Sequence, residues 1–559
     1  MSAANSASTP PGRRVYLETF GCQMNELDSE LVGDHLRALG YVFVDDLEAA
    51  RIILYNTCSV REHAENKVLS RVGEVGVRKE RGAPLILGVI GCMAERFGAA
   101  MLHKYPQIDF ICGPGELDRL PILLENALAG SAVRRADRAA LQGSRTRRSA
   151  TLAAAADDLE RLDSSRSFDP DRSRLGGGPA TSAYVRITRG CNKFCAYCVV
   201  PATRGAETHR PPDAIVEECR RLAEARVIEI TLLGQTVNHY RYVHGASISV
   251  DGREAPQIGP GASAFRDPAR RAGAGRHTTT FADLLARIHD EIPAVQRLRF
   301  VTSYPRDFGD DILQVMAESP RICRYLHLPA QSGSNRILKL MNRGYTREEY
   351  LDLIDRARAI VPGVCIAGDF IVGFCSETEE DFEASRDLMR RARYKNSFVF
   401  KYSPRPGTRA FDRLADDVPE SVKRRRNNEL LALQSGISAE VHRAFIGRTI
   451  PILVERVSVK SPRRGGSVEL RWEQRAAAGG PGRGTPAPQA AVQMSGRSPE
   501  DLITVFDLPE NVAEEELIGR IVPVRITGAR PLLLRGMLGG EGASDRRSGR
   551  HREKELRSL

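Results

Sequence analysis

Short apolar runs alternate with polar stretches along most of the chain, and the pattern changes character twice. In the first part a short apolar run ends in a cysteine, then a polar or helical stretch follows. RVYLETFGC closes on Cys22, RIILYNTC on Cys58 and PLILGVIGC on Cys92. After Cys58, residues Val68, Leu69, Val72 and Val75 recur at helical spacing and predict a helix over REHAENKVLSRVGEVGVRK. Strands alternating with helices predict a parallel sheet, with functional residues at the carboxyl ends of its strands. From about 181 to 415, AYVRITRG, EITLLGQ, LRFVTS, YLHLPAQS, IAGDFIVGF and SFVFKYS alternate with helical stretches such as PDAIVEECRRLAEA, RILKLMNRGYTREEYLDLIDRARAI and ETEEDFEASRDLMRRA. This (β/α) repeat of about six strands predicts a full or partial α/β barrel. Beyond residue 445 the pattern turns to strands alone: GRTIPILVERVSV, SVELRWE, DLITVFDL and IGRIVPVRITGA predict a small β-barrel. The expected fold class is therefore multidomain α/β with a C-terminal β-barrel.

Three stretches break the pattern. Residues 131–180 are rich in Ala, Arg, Ser and Asp, 241–280 in Gly, Ala and Arg, and 459–500 in Gly and Pro. They read as a linker and two insertions. The expected organisation is an N-terminal domain over 14–130, a linker over 131–180, a barrel over 181–440 interrupted at 241–280, a β-barrel over 445–538 interrupted at 459–500, and a basic tail over 539–559.

Charge narrows the partner class only a little. Lys and Arg number 82 against 71 Asp and Glu, a net charge of +11. The surplus suits a polyanionic partner, although a run such as Lys423 to Arg426 is by default a solvated face. No apolar run approaches the ~18–20 residues of a membrane span, so no membrane partner is expected. The first residues, MSAANSASTPPGRR, lack the apolar core of a secretory signal, which predicts a cytoplasmic chain with reduced thiols.

The 11 cysteines are therefore candidates for metal binding or catalysis where they cluster. Cys22, Cys58 and Cys92, each ending an apolar run of a parallel sheet, converge on one sheet edge as a candidate metal-cluster site. Cys112, which ends the run DFIC, reads as a core residue. The denser signal is Cys191-Asn192-Lys193-Phe194-Cys195-Ala196-Tyr197-Cys198, where three thiols fall within eight residues after the first barrel run. Three thiolates on one loop can hold three irons of a cubane cluster and leave the fourth open to a substrate. A closed zinc site is the weaker reading, because no paired Cys/His set follows nearby.

CxxxCxxC after the first strand of an α/β barrel resembles the radical S-adenosylmethionine (SAM) superfamily. TFGCQMNELDSE, NTCSVREHAENKV, GCNKFCAYCVVPATRG, LLGQTVNHY, LHLPAQSGSNRILKLMNR, GDFIVGF and YSPRPGT together resemble its methylthiotransferases, most of all those acting on isopentenyladenosine in tRNA. The resemblance covers nearly all of 14–538 outside the three low-complexity stretches. It implies two [4Fe–4S] clusters: an auxiliary one on Cys22, Cys58 and Cys92, and one on Cys191, Cys195 and Cys198 that binds and cleaves SAM. One SAM would methylate a sulfur associated with the auxiliary cluster, and a second would yield the radical that activates carbon 2 of adenine 37. Gly234, Gln235, Gln331, Ser332, Gly368, Ile371 and Gly373, at strand ends, match segments that contact SAM in the family, with a plain turn role as the alternative. Lys193 and Arg204 could neutralise cluster or SAM charge, although the default reading is an exposed basic residue. Cys219, Cys323, Cys365 and Cys375 read as structural, and Cys375 stands where the family more often shows Pro-Gly.

The C-terminal piece resembles the TRAM domain, an RNA-binding barrel. Arg448, Arg456 and Arg525 are its candidate phosphate contacts, and Trp472 reads as core rather than as a base-stacking platform. The partners implied are tRNA, an external electron donor and a sulfur source, with the chain acting as a monomer. Competing expectations are methylthiolation of threonylcarbamoyladenosine in tRNA or of a ribosomal-protein aspartate. Outside the enzymes, the competitor is an RNA-binding Fe–S redox protein.

Overall fold

The computed structural model describes residues 13–59, 62–135, 150–166, 181–246, 249–250, 253–259, 277–458, 492–509 and 512–539. Two compact units divide near residue 437.

The first unit opens with five parallel strands, β1 (Arg14–Phe20), β2 (Val42–Phe43), β3 (Ile52–Thr57), β4 (Ile86–Gly91) and β5 (Phe110–Cys112), in the order β2-β1-β3-β4-β5. All six residues of β3 are buried, as a central strand covered on both faces requires. One face packs on Leu27, Leu31 and Leu36 of helix Gln23–Ala38 and on Leu120, Leu123 and Leu124. The other packs on Val68, Val72 and Val75 of helix Glu62–Glu80, the side of the helix expected from spacing.

Six parallel strands follow in the same unit. Ser182–Arg186, Glu229–Leu233 and Arg297–Phe300 form one sheet, and Tyr325–His327, Cys365–Val372 and Asn396–Lys401 a second. A parallel bridge from Leu298 to Ile322 joins them in chain order. Three of the helices between them start on capping boxes, at Thr280/Asp283, Thr346/Glu349 and Thr378/Asp381, which satisfy the first amide groups of those helices. The run expected as one long helix is two, Asn335–Leu340 and Arg347–Ile360. The break falls where Asn342 and Gly344 take positive φ of 58° and 66°. One apolar cluster runs from Leu27 and Leu31 to Leu233, Val301 and Tyr325 of the barrel, so sheet and barrel share a core.

All three pattern-breaking stretches hold regular structure. Residues 131–180 contain a helix, Ala150–Ser164, whose alanine-rich start hides its apolar period. Within 241–280, Arg241–Val243 pairs with Thr278–Thr280, and Gln257–Ile258 adds to Thr208–His209.

The second unit is a closed barrel of strands Thr449–Ser458, Gln493–Arg497, Ile503–Asp507, Leu533–Leu538 and Ile521–Arg530, the last pairing back to the first. Gln493–Arg497 falls inside the stretch expected as an insertion, because its Ser and Gly residues carry no strand signal. SVELRWE with Trp472, and the tail beyond 539, lie outside the described residues. Among the described residues no helix is long and apolar enough to cross a membrane.

Candidate metal centres and cofactor site

Sheet register brings the first cysteine group together. Phe20 pairs with Thr57 and Thr57 with Gly91, so Cys22, Cys58 and Cys92 leave three adjacent strands at one level. Cys22 caps helix Gln23–Ala38, and Cys92 opens helix Cys92–Phe97, so both sulfurs sit at helix N-termini, which favour negative charge. Gly21 (φ 148°) and Gly91 (φ 93°) make the turns possible. A Cβ on Gly21 would stand 2.5 Å from the Cys58 Cβ, and one on Gly91 would stand 2.7 Å from the Thr57 carbonyl oxygen. Behind them Asn25 Nδ2 donates to Asn56 Oδ1 at 2.8 Å, and Asn56 Nδ2 donates to Ser29 Oγ at 2.9 Å. The Cys22 thiol donates to Asn25 Oδ1 at 3.2 Å. A hydrogen bond with Cys58 outweighs burial at Cys22 and, helped by Arg204 and the amides of Met24 and Asn25, lowers its pKa to about 6. Burial pushes the Cys92 thiol up, against the pull of Arg204. Cys112 ends β5 and donates instead to the Glu116 carbonyl at 3.2 Å, as a core thiol does.

The second group lies on the loop after the first barrel strand. The Cys191 amide donates to the Gly205 carbonyl at 3.2 Å, and the Cys198 amide to the Cys195 carbonyl at 3.0 Å. Phe194 holds a positive φ of 51°, a conformation that non-glycine residues rarely adopt. It is kept there from outside, since Asn342 Nδ2 donates to the Phe194 carbonyl at 2.8 Å and the Ala196 amide to Met341 O at 2.9 Å. Arg343 Nη1 donates to Cys195 Sγ at 3.4 Å, with its guanidinium 4.5 Å from the Tyr304 ring centre and 5.2 Å from that of Tyr345. Burial, Glu207 and Cys195 push the Cys191 thiol to about 12, and burial with Cys195 and Cys191 pushes Cys198 up as well. Three half-buried sulfurs that repel one another as thiolates are what a multivalent cation relieves, so the donor set fits an iron cluster.

The residues expected to contact SAM divide by position. Gly234 abuts Thr188, and Gln235 lies between it and Thr236, whose hydroxyl is 3.7 Å from Cys191 Sγ. Gln331 (φ 71°) bridges to Phe370, and its carbonyl accepts the Ile371 amide at 2.9 Å. Ile371 packs with Ala196 and Tyr197 of the cysteine loop. Ser332 turns away, its hydroxyl 3.4 Å from Ser385 Oγ and accepting the Ser334 amide. Gly368 has its open side against the Tyr394 ring, so its small size serves packing. Gly373 (φ 68°) abuts Lys423 and donates its amide to Glu377 at 2.6 Å. Cys219, Cys323, Cys365 and Cys375 are buried.

Lys193 and Arg204 are not the exposed cations that composition suggests. The Lys193 ammonium pairs with the buried carboxylate of Asp307. Arg204 Nη2 bonds Asp28 Oδ2 at 2.8 Å, with 6% of its side chain exposed. Asp28 also takes Arg186 at 2.7 Å, and Arg186 takes Asp163 of helix Ala150–Ser164 at 2.6 Å. Burial pushes the Asp28 carboxyl up, but Arg204 and Arg186 hold it below the ordinary range. A second unpredicted group is Glu207, whose Oε1 accepts from both His209 (2.9 Å) and His239 while the Asn192 amide reaches its other oxygen at 3.4 Å. His and Glu in the run RGAETHR stand two residues apart, which on a short strand carries no ligand signature, and His239 comes from a separate turn.

Comparison with known proteins agrees with this layout. Residues 185–389 match the radical SAM superfamily, and 14–113 match a family described only as uncharacterized protein family UPF0004. A tRNA-2-methylthio-N(6)-dimethylallyladenosine synthase of Rhodopirellula baltica is 39% identical over 92% of this chain and 96% of its own. The synthase of Phocaeicola vulgatus is 36% identical over 95% and 97%. Among solved structures, the radical SAM methyltransferase TsrM of Kitasatospora setae aligns with a TM-score of 0.47 at 14% identity, over 72% of this chain and 74% of its own. With two cysteine triads at the ends of parallel strands and relatives of this similarity along nearly its whole length, the chain belongs to the radical SAM family of tRNA-2-methylthio-N(6)-dimethylallyladenosine synthases.

Proposed function

We propose that the chain installs a methylthio group on carbon 2 of N(6)-isopentenyladenosine at position 37 of tRNA. Cys22, Cys58 and Cys92 hold the auxiliary [4Fe–4S] cluster, and Cys191, Cys195 and Cys198 hold the cluster that binds SAM. The observation that carries the reading is the pair of three-thiol groups in one compact unit, each leaving its cluster one position without protein sulfur. When bound, the clusters and SAM supply the electron, the methyl group and the sulfur. The chain's own residues orient and insulate. Gly21 and Gly91 let three sulfurs approach, Asn342 and Met341 fix the strained loop, and Arg343 donates to Cys195. Gln331 and Ile371 shape the wall beside that loop. Acid–base catalysis is a poor competitor, because an aromatic C–H is scarcely acidic.

The C-terminal barrel is the module we assign to RNA, with Arg448, Arg456 and Arg525 as phosphate contacts. An external reductant and a sulfur source complete the reaction, and the chain works as a cytoplasmic monomer. The test is single-turnover chemistry with reconstituted, dithionite-reduced protein, SAM and an anticodon stem-loop carrying isopentenyladenosine. The methylthiolated nucleoside and 5′-deoxyadenosine should form together. SAM cleavage without product on this RNA, but with product on threonylcarbamoyladenosine RNA, would move the chain to the sibling activity.

A further inference from the structure

Outside the two cysteine groups, the fold gathers a donor set of another kind. Glu207, His209 and His239 are all buried, and one donor atom from each lies within 4.8 Å of the other two. His209 Nε2 stands 2.9 Å from Glu207 Oε1, and His239 Nδ1 contacts the same oxygen. We propose that these three side chains bind a zinc ion, which pins the segment around Gln257–Ile258 to the loop carrying Cys191, Cys195 and Cys198. The proposal goes beyond the methylthiolation reading and does not depend on it.

Two imidazoles and a carboxylate are a ligand set that zinc takes, with bonds of ~2.0–2.1 Å that place the donor atoms of a tetrahedral site about 3.3 Å apart. The separation of His209 Nε2 and Glu207 Oε1 is close to that spacing. His209 is also oriented as a ligand. Its Nδ1 lies 2.8 Å from the Arg241 carbonyl oxygen, and donating there leaves the Nε2 lone pair facing Glu207. The Arg241 amide, 3.0 Å from the same nitrogen, is the more distant partner. A lone pair aimed at a carboxylate oxygen calls for a cation between them. Tyr240 stacks on the His209 ring at 5.5 Å and fixes its plane. Gly259 keeps the donor atoms clear, since a Cβ there would stand 2.8 Å from both Glu207 Oε1 and His209 Nε2.

The surrounding hydrogen bonds say what such an ion would join. The Gly259 amide donates to the Glu207 carbonyl at 2.8 Å, and Gln257–Ile258 pairs with Thr208–His209. From the other side, the Asn192 amide of the cysteine loop reaches Glu207 Oε2 at 3.4 Å, and Asn192 Oδ1 accepts the Glu207 amide at 3.1 Å. His239 ends the turn Val237–His239 after the second barrel strand. One ion on Glu207 therefore ties the SAM-binding loop, that turn and the segment from 253 to 259 at a single point.

The test uses the full chain, expressed with zinc in the medium because buried ligands close around the ion as the chain folds. The protein is loaded with both clusters and dialysed against a chelator. Elemental analysis should find about one zinc per chain, and X-ray absorption at the zinc edge should show only nitrogen and oxygen neighbours at ~2.0–2.1 Å. Sulfur neighbours at ~2.3 Å would place the zinc in the cysteine sites and overturn the proposal, as would a parent chain that retains no zinc. His239→Asn keeps an amide donor for Glu207 but removes the imidazole. Retained zinc should then fall at least tenfold, as it does when even an outer partner of a metal ligand is lost, with iron content unchanged. A His239→Asn protein that holds as much zinc as the parent would show a hydrogen-bonded triad only, and the proposal would fall. If that variant fails to load iron, the parent's absorption spectrum alone decides the question.

Discussion

The two cysteine groups are built by opposite means. Cys22, Cys58 and Cys92 are far apart in sequence and meet because three strands share one register, with a glycine turn before two of them. Cys191, Cys195 and Cys198 are neighbours in sequence but need a strained loop, held by Asn342, Met341 and Arg343 from beyond the fourth barrel strand. The first site is made by the register of the sheet. The second is made by a loop and depends on distant contacts that keep it in an unfavourable backbone conformation.

The comparison is broken most severely by removing ligands. Any one of the six Cys→Ala changes should abolish methylthiolation, but iron content should separate the groups. A triple change in either group should take the reconstituted protein from about eight irons to about four, with SAM cleavage lost only when the loop group is removed. Colorimetric iron analysis and 5′-deoxyadenosine release check this, and a single variant with full turnover would strike its residue from the ligand set.

Glycine substitution probes the sheet-built site alone. Gly91→Ala places a Cβ against Asn56 Oδ1 and the Thr57 carbonyl at a positive φ. Strain of this kind costs about 1–3 kcal/mol, and we expect the auxiliary cluster to be lost while SAM cleavage continues. Loss of both clusters together would show that the register does not act independently of the loop.

The loop-built site should respond to Arg343. Arg343→Gln removes a donor to Cys195 and a cation stacked on two tyrosines, and should cut the SAM cleavage rate about tenfold, corresponding to roughly 1.4 kcal/mol. The auxiliary cluster spectrum should not change. An unaltered cleavage rate would detach Arg343 from the loop.

The smallest effect concerns pH. Burial raises the Glu377 carboxyl to about 7, against the Gly373 amide and Arg426. Between the unfolded value near 4.5 and about 7 the folded chain holds a proton that the unfolded chain has released. The stabilising contribution of this group is therefore complete below about pH 4.5 and shrinks as pH rises to 7, by about 2–3 kcal/mol. Glu377→Gln should flatten that part of the Tm–pH curve, and parallel curves for variant and parent would refute the shift.

Much of this was legible in the chain itself because it is local. Runs ending in Cys22, Cys58 and Cys92 announce strand ends, and CxxxCxxC announces its own chemistry. What was not legible depends on contacts across long separations. Nothing near Arg204 signals that Asp28 pairs with it, so by its sequence it reads as a solvated cation. Glu207 and His239 meet only because the Thr208–His209 strand turns back on the barrel. Helix Ala150–Ser164 was read as linker since its alanines show no apolar period, although Asp163 makes it part of the buried ion network. Gly368, expected from its motif to contact the cofactor, also leaves room for the Tyr394 ring, a role no local pattern signals.

The most direct measurement is nucleoside mass spectrometry on tRNA from a methylthiolation-deficient bacterium expressing this chain. We expect methylthiolated isopentenyladenosine to appear with the parent chain and to be absent with either triple cysteine variant. Persistence of unmodified isopentenyladenosine, in cells whose protein carries both clusters, would contradict the assigned reaction.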